Sequence, residues 1–424
     1  MSDSMLEPSV TLVQKTAPKR RWLIAFFSYN SITRLVFTSA IWVIYLAAHG
    51  YSPLMIGLLE MTFHLAKFIT EVPSGIFADL LGRRKSLIVY CLLGALETLF
   101  LLVPVLPLLF ISFILSGISY AFLGGANEAV LWTLTEYSAP GDTQQQSVRY
   151  SKLFSLMLML SIVSEIIGTT LGGYLGNIMQ TLPFICHALA CLLAIIPLLL
   201  LPKTVTEPRR EPHERPHPIL HFRKGLEAVW HSPRLLGLIL ISGLMESCGT
   251  TIYFFVQLQF QELGFALSSI GIIMSVSSLS QFGLTALAPY LMRRFSTRSL
   301  IFACVLFQAG GLLLMIIPNA MVSLVGFLTF FQAATAILYP TVSTQINERS
   351  PEAQRAMVLS FETGMFSLAM IILFPLFGLG LTTSAYSTVY SWTVLALVIG
   401  SLGTYLLVRL RAAQLRQSLS RLQQ

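Results

Sequence analysis

Glu60, His64, Lys67 and Glu71 recur at helical intervals and put an acid, an imidazole, an ammonium and a second acid on one stripe of an otherwise apolar segment. A carboxyl and an imidazole one turn apart can pass a proton, and an ammonium between two carboxylates favours their ionised forms. Two readings of the stripe stand side by side. Lys67 pairs with Glu60 or Glu71 and the stripe seals a helix interface, or Glu60 and His64 line a path and exchange protons. Arg34 and Glu128 form a second candidate pair. Protonating Glu128 would free Arg34 and change the charge of a cavity between them, which is a physical route to proton coupling. Without that exchange they are a static buried pair. Ionisable groups at membrane depth cost roughly 2.5 kcal/mol or more each, so they usually face a cavity or a partner.

Asn30, Trp132, Glu246, Tyr253, Gln257, Tyr339 and Phe361 are further candidates for a substrate cavity. Aromatic faces beside a few carboxylates suit a lipophilic cation. Glu97, Glu165 and Glu362 read equally well as interhelical hydrogen bonders. Metal and catalytic chemistry find no support. Cys91, Cys186, Cys191, Cys248 and Cys304 all fall in apolar segments without a Cys-x-x-Cys pair, and the seven histidines are scattered. No nucleotide-binding loop and no nucleophile–base set stands out, so neither an enzyme nor a cofactor is expected.

These residues need a frame, and the composition says which. Only 11% of the 424 residues are charged, against about 25% in a soluble domain. Mean hydropathy is +0.74. Apolar runs of roughly 18 to 25 residues are long enough to cross about 30 Å of hydrocarbon. The spacing predicts spans at about 22–47, 53–77, 86–106, 108–136, 149–176, 181–201, 233–259, 266–291, 299–317, 320–345, 356–380 and 386–408. All should be helices, because backbone groups in lipid need partners within their own segment. No cleavable signal peptide is expected, because the first apolar segment is long and more spans follow it.

Of the 27 lysines and arginines, only Arg34 and Lys67 fall in the interior of spans, while Arg149, Lys152 and Arg234 stand in the first residues of theirs. The rest sit at the N-terminus, after the second, eighth and tenth spans, in the polar stretch 202–232 and in the tail. The positive-inside rule then places both termini and all basic loops in the cytoplasm, in a multi-pass protein of the inner membrane. The net charge of +8 is topological on this reading. Contact with anionic lipid explains it, and nucleic acid is not an expected partner. Residues 202–232, rich in proline and charge, read as a cytoplasmic linker with a short amphipathic helix at 219–231. The expected domains are 1–201, a linker at 202–232, 233–408 and a cytoplasmic tail at 409–424.

The strongest local motif is Gly75-Ile76-Phe77-Ala78-Asp79-Leu80-Leu81-Gly82-Arg83-Arg84-Lys85. Gly75 permits close helix approach, Gly82 allows a tight turn, and the three cations hold the loop at the membrane surface. This stretch resembles the signature loop of the major facilitator superfamily, with Leu80 where the family usually has Lys or Arg. The resemblance implies an all-α fold of 12 transmembrane helices in two six-helix bundles. It also implies a conformational latch made by Gly75, Asp79, Gly82, Arg83, Arg84 and Lys85, with Glu71 nearby. The preceding Glu71-Val72-Pro73-Ser74 resembles a subset of bacterial drug or small-solute exporters. The equivalent loop at Ala288–Arg298 keeps its arginines but lacks the acid and the glycines. Gly168, Gly172 and Gly176 share a helix face, and with Gly173 they resemble the glycine-rich signature of proton-driven antiporters, with Thr169 where that pattern has Pro. Plain small-residue packing explains them equally well. Tyr120 stands where many proton-coupled members carry an arginine, and Arg34 is the obvious substitute.

The function expected from these features is secondary transport by alternating access. Its form is proton-coupled export of amphiphilic or cationic drug-like molecules by a monomer embedded in membrane lipid. Lipid or glycolipid flipping and metabolite import are alternatives. A receptor or scaffold on a transporter fold is the alternative of another class.

Overall fold

The computed structural model describes residues 20–138, 143–207, 227, 229–230, 232–349 and 355–422, and their regular structure is helical throughout. The first group of helices is α1 (Arg20–Thr33), α2 (Trp42–Ala48), α3 (Pro53–Leu81), α4 (Arg83–Leu101), α5 (Leu106–Leu123), α6 (Ala126–Ser138), α7 (Thr143–Ile178), α8 (Leu182–Leu193), α9 (Ile195–Leu199) and α10 (Lys203–Thr206). The second is α11 (Pro233–Glu262), α12 (Leu267–Thr285), α13 (Ala288–Arg294), α14 (Thr297–Met315), α15 (Ala320–Val325), a π-helical turn (Gly326–Phe331), α16 (Gln332–Arg349), α17 (Arg355–Thr383) and α18 (Tyr386–Leu422). Most of the expected linker, with its helix at 219–231, lies outside the described residues. The expected tail continues α18 as helix to Leu422.

Nine helical stretches among the described residues are long and apolar enough to cross a membrane: 106–137, 148–178, 182–199, 233–262, 267–285, 297–315, 320–346, 361–383 and 386–414. The three expected spans before them differ for local reasons. The first is broken between α1 and α2, which are only 14 and 7 residues long. The second, α3, carries the charged stripe. The third, α4, opens on Arg83-Arg84-Lys85 and carries Glu97.

Local chemistry sets several boundaries. Ser52 caps α3 by accepting from the Met55 N–H at 3.3 Å, with Pro53 at the first helical position. Gly82 has φ of 101°, a conformation open to glycine, so α3 can turn directly into α4. The break at residues 34–41 frees backbone carbonyls inside the apolar layer, and they must find partners. The Nδ1–H of His187 donates to the Leu35 carbonyl at 3.2 Å, and the Gln257 amide donates to the Ser39 carbonyl at 2.9 Å.

The glycines of α7 let it lie against this break. A methyl on Gly168 would come within 2.6 Å of the Val36 nitrogen, and one on Gly172 would collide with the Phe37 carbonyl oxygen. Gly176 faces Ile41 on the same side, while Gly173 turns toward Leu267 and Gly271 of α12. Gly172→Ala should therefore cost about 1–3 kcal/mol, as overpacking usually does. A lowered melting temperature of the purified protein is the expected readout.

The two groups meet along α3 and α17, α7 and α12, and α2 and α11. The contacts concentrate at the face opposite the α3–α4 turn. Gly57 packs on the backbone of Phe374 and Pro375, and Gly378 on that of Pro53 and Leu54. Gly173 meets Gly271, Thr170 and Ser275 hydroxyls pair at 2.7 Å, and the Trp42 and Phe254 rings lie 5.3 Å apart. Toward the other face, Gly75 of α3 and Gly283 of α12 have open space around them and Tyr339 is 61% exposed. The molecule is closed at one membrane face and open at the other.

Candidate functional site

Beneath the closed face lies a cavity of about 380 Å³. Its polar wall comes from the first group of helices. Arg34 enters it from the break after α1, Glu60, His64 and Lys67 from α3, Glu97 from α4, and Glu165 from α7. Trp42, Phe63, Phe113, Phe254 and Phe366 supply the aromatic wall, and among the described residues the second group contributes through α11 and α17.

One close contact and several looser electrostatic relations order these groups. His64 Nε2 is 3.5 Å from Glu60 Oε1, and both residues are at most 8% exposed. The other ring nitrogen of His64 is buried without a hydrogen-bond partner, and its ring packs edge-on to Phe366 at 5.6 Å. Lys67 has Glu71 and Glu60 as its electrostatic neighbours. Arg34 is surrounded by Tyr90, Tyr120, Glu165 and Tyr29. Glu97 accepts from the Thr98 hydroxyl at 3.3 Å and pairs with no cation among the described residues. Two fixed cations, Arg34 and Lys67, thus face three carboxylates, Glu60, Glu97 and Glu165. Glu165 has Arg34 among its electrostatic neighbours and Glu60 has Lys67, whereas Glu97 has no cation among its own.

Arg34 and Glu128 do not meet, which corrects the expected central pair. Tyr120 of α5 is an electrostatic neighbour of Arg34, together with Tyr90 of α4. Glu128 lies eight residues further on, about 12 Å along a helix axis, beyond the break at Gly124-Gly125. It is exposed toward the open face, with Tyr150 and Tyr339 as electrostatic neighbours. Glu165 of α7 is the acid among the electrostatic neighbours of Arg34. Glu128→Gln should accordingly leave the pH dependence of transport within about twofold of the native protein, whereas Glu165→Gln should change it. A pH series on both variants measures this.

Among the expected cavity residues, Tyr253 lines the cavity. Asn30 does not: it is 5% exposed, accepts from Asn127 Nδ2 at 2.8 Å and ties α1 to α6. Gln257 bridges to the Ser39 carbonyl in the closed face. Trp132, 43% exposed, packs on Tyr150 near the open face. Phe361 packs against the main apolar core. Glu246 and Glu362 share the Ser242 hydroxyl at 2.9 and 3.2 Å, with Tyr339 nearby, away from the cavity.

In the expected latch, Arg83 donates to the Ala129 carbonyl at 2.9 Å and the Thr133 hydroxyl at 2.8 Å, fastening the α3–α4 turn to α6. Glu71 and Lys85 are exposed and Arg84 is half-buried. The backbone of Asp79 is in the last turns of α3, and its side chain lies outside the described residues. Glu97, Glu165 and His187 were absent from the expected site. A signal existed on α4, where Tyr90, Gly94, Glu97 and Leu101 keep the same spacing as the α3 stripe, and all four line the cavity.

The family model for the Major Facilitator Superfamily matches residues 22–261 and 239–422. The uncharacterized MFS-type transporter YxaM of Bacillus subtilis (strain 168) is 24% identical over 373 residues, covering 84% of this chain and 88% of that protein. The crystal structure of the nucleoside transporter NupG is similar with a TM-score of 0.72 at 13% identity, covering 93% of this chain and 99% of that one. A bacterial homolog of the human lysosomal transporter Spinster, in an inward-facing and unoccupied conformation, gives a TM-score of 0.70 at 18% identity, over 92% of this chain and 98% of that one. These last two likenesses speak for the fold. The helical architecture, the charged cavity closed from one face and the match along nearly the whole chain make it a multi-pass membrane transport protein, not an enzyme, and the chain belongs to the major facilitator superfamily.

Proposed function

We propose that the protein exchanges protons for an amphiphilic, cationic small molecule by alternating access, as a monomer. On this reading its 12 spans form two bundles of six, residues 1–201 and 233–408. They are joined by the cytoplasmic linker 202–232, and the tail 409–424 is cytoplasmic too. The basic loops then put the open face toward the cytoplasm.

The observation that carries the reading is Glu97, a buried carboxyl with no cation among its electrostatic neighbours, at the head of the cavity. A proton or an organic monocation can each neutralise Glu97, and they cannot do so together. Competition for one site converts binding into obligatory exchange, which is antiport. Glu60, His64, Arg34 and Glu165 form the surrounding network through which a change at Glu97 is felt. The aromatic wall offers apolar area and ring faces to a cation. The volume is in the range of sites for small drug-like molecules.

Proteoliposomes with an imposed proton gradient test this against a cationic dye, a phospholipid, a nucleoside and a dipeptide. Saturable dye movement that reverses with the gradient is the expected result. Gradient-driven movement of the neutral solutes alone would overturn the cation reading, and movement of lipid alone would turn it to a flippase.

A further inference from the structure

Away from the central cavity, a second hollow of about 290 Å³ opens at the corner where α13 passes into α14. Ser299, Ala303 and Phe307 follow each other at one-turn spacing along α14, and Ala333 and Ile337 of α16 form the facing wall. Phe295 and Phe307, each 46% exposed, stand at its two ends. Ser299 to Phe307 spans about 12 Å of helix, close to the depth of one leaflet's hydrocarbon. The small residues make a floor and the rings make shoulders, which is the shape of a slot for a linear chain.

The membrane-surface end of this slot is strongly cationic. Arg293 and Arg294 end α13, and Arg298 lies in the first turn of α14. All three are exposed, and none pairs with a carboxylate among the described residues. Helix N-termini usually attract an acid, which their dipole favours. Here α14 has none in its first turn; Ser296 caps it, accepting from the Ser299 N–H at 3.2 Å. Three exposed arginines and a helix N-terminus therefore bring positive potential to the segment 293–298, where the apolar slot begins. The corner matches a ligand with an anionic head and an aliphatic tail.

We propose that this corner is a binding site for an anionic phospholipid. Arg293, Arg294 and Arg298 hold its phosphate at the start of α14, and one acyl chain lies in the Ser299–Phe307 slot. The assignment does not depend on the transport substrate. It gives a role to the arginine loop that keeps the positive charge of the signature loop without its acid or glycines.

Native mass spectrometry of the full chain in detergent, titrated with phosphatidylglycerol or phosphatidylcholine of the same acyl chains, tests it. Phosphatidylglycerol should bind at least about tenfold more tightly. Arg293→Gln/Arg294→Gln/Arg298→Gln should remove that preference, and the corresponding lysine variant should keep most of it. Ala303→Phe, which fills the slot while sparing the arginines, should weaken phosphatidylglycerol binding. Glycerol phosphate, which has the head without the chain, should bind far more weakly than the lipid. Equal binding of the two lipids, or a preference that survives the triple substitution in protein of native melting temperature, overturns the site. Unchanged lipid binding in Ala303→Phe, or glycerol phosphate binding as tightly as lipid, overturns the placement of the chain. Should the triple variant fail to fold, Arg298→Gln alone and the lipid comparison on the native chain decide.

Discussion

Glu97→Gln should abolish proton-driven accumulation while leaving passive exchange of substrate between the two faces in place. The amide keeps the shape and the hydrogen bond with Thr98, but it carries no charge and takes up no proton. It mimics the protonated form permanently. In the native cavity Glu97 is the carboxyl without a neighbouring cation, and the variant removes it. A cationic substrate then loses the one acid that is not already committed, and its apparent affinity should fall by about ten- to a hundredfold. The remaining slow exchange should no longer respond to an imposed proton gradient. Counterflow in proteoliposomes, with and without the gradient, separates the two effects. Glu246→Gln, which alters an acid outside the cavity, is the control for a generic loss of charge. Full gradient-driven accumulation by Glu97→Gln would place the coupling proton elsewhere.

The second large effect is conformational. Gly57 and Gly378 let α3 and α17 touch backbone to backbone at the closed face. A methyl on Gly57 would lie 2.8 Å from both the Phe374 oxygen and the Pro375 Cα. A methyl on Gly378 would collide with the Pro53 carbonyl. Both clashes exist only while this face is closed, so the substitutions oppose one state of the cycle rather than the fold. At about 1–3 kcal/mol each, the pair Gly57→Ala/Gly378→Ala imposes about 2–6 kcal/mol against closure. About 5.5 kcal/mol inverts a 1:99 population, so the upper part of that range moves the protein largely out of this state. Transport should fall by tenfold or more. Labelling of Leu54→Cys, half-buried in the closed face, with a membrane-impermeant maleimide should rise by a similar factor. Gly172→Ala serves as the contrast. Its clash is inside one group of helices and persists in every state, so it should lower the melting temperature without opening Leu54→Cys to the label. Unchanged labelling in a well-folded double variant would show that the contact does not report closure.

Much of the frame was legible in the sequence because its determinants are local. Apolar run length, Ser-Pro starts and glycine turns act over a few residues, and the α7 glycines announce a close approach by their spacing alone. What approaches them is not local. Nothing in residues 34–41 marks them as non-helical, since the break is sustained by His187 and Gln257 from distant helices. The charged stripe on α3 was readable for the same reason as the glycines. Its partners were not, because the depth of a residue depends on where each helix begins and breaks. Arg34 and Glu128 both look central when counted along their spans. The Gly124-Gly125 break and the position of Tyr120 beside Arg34 put Glu128 about two turns away from it. Glu97 carried the same helical signal as Glu60, yet its importance is a matter of subtraction: it stands out only once the other charges have been matched.

The break between α1 and α2 also sets the character of the motion. One of its carbonyls is held by His187, from the same group of helices, and the other by Gln257, from the opposite group. Among the described residues, the polar contacts across the closed face include Gln257 to the Ser39 carbonyl, Thr170 with Ser275, the Ser275 hydroxyl to the Ile166 carbonyl at 3.1 Å, Tyr253 with Ser39, and the Leu54 N–H to the Thr382 hydroxyl at 3.2 Å. All are neutral. When the groups part, water replaces each lost partner at a net cost of about 0.5–1.5 kcal/mol per bond, far below that of stripping a buried ion pair. The strength of such a seam is nearly blind to ionic strength. Separation of the two groups at this face should therefore proceed alike in dilute and concentrated salt.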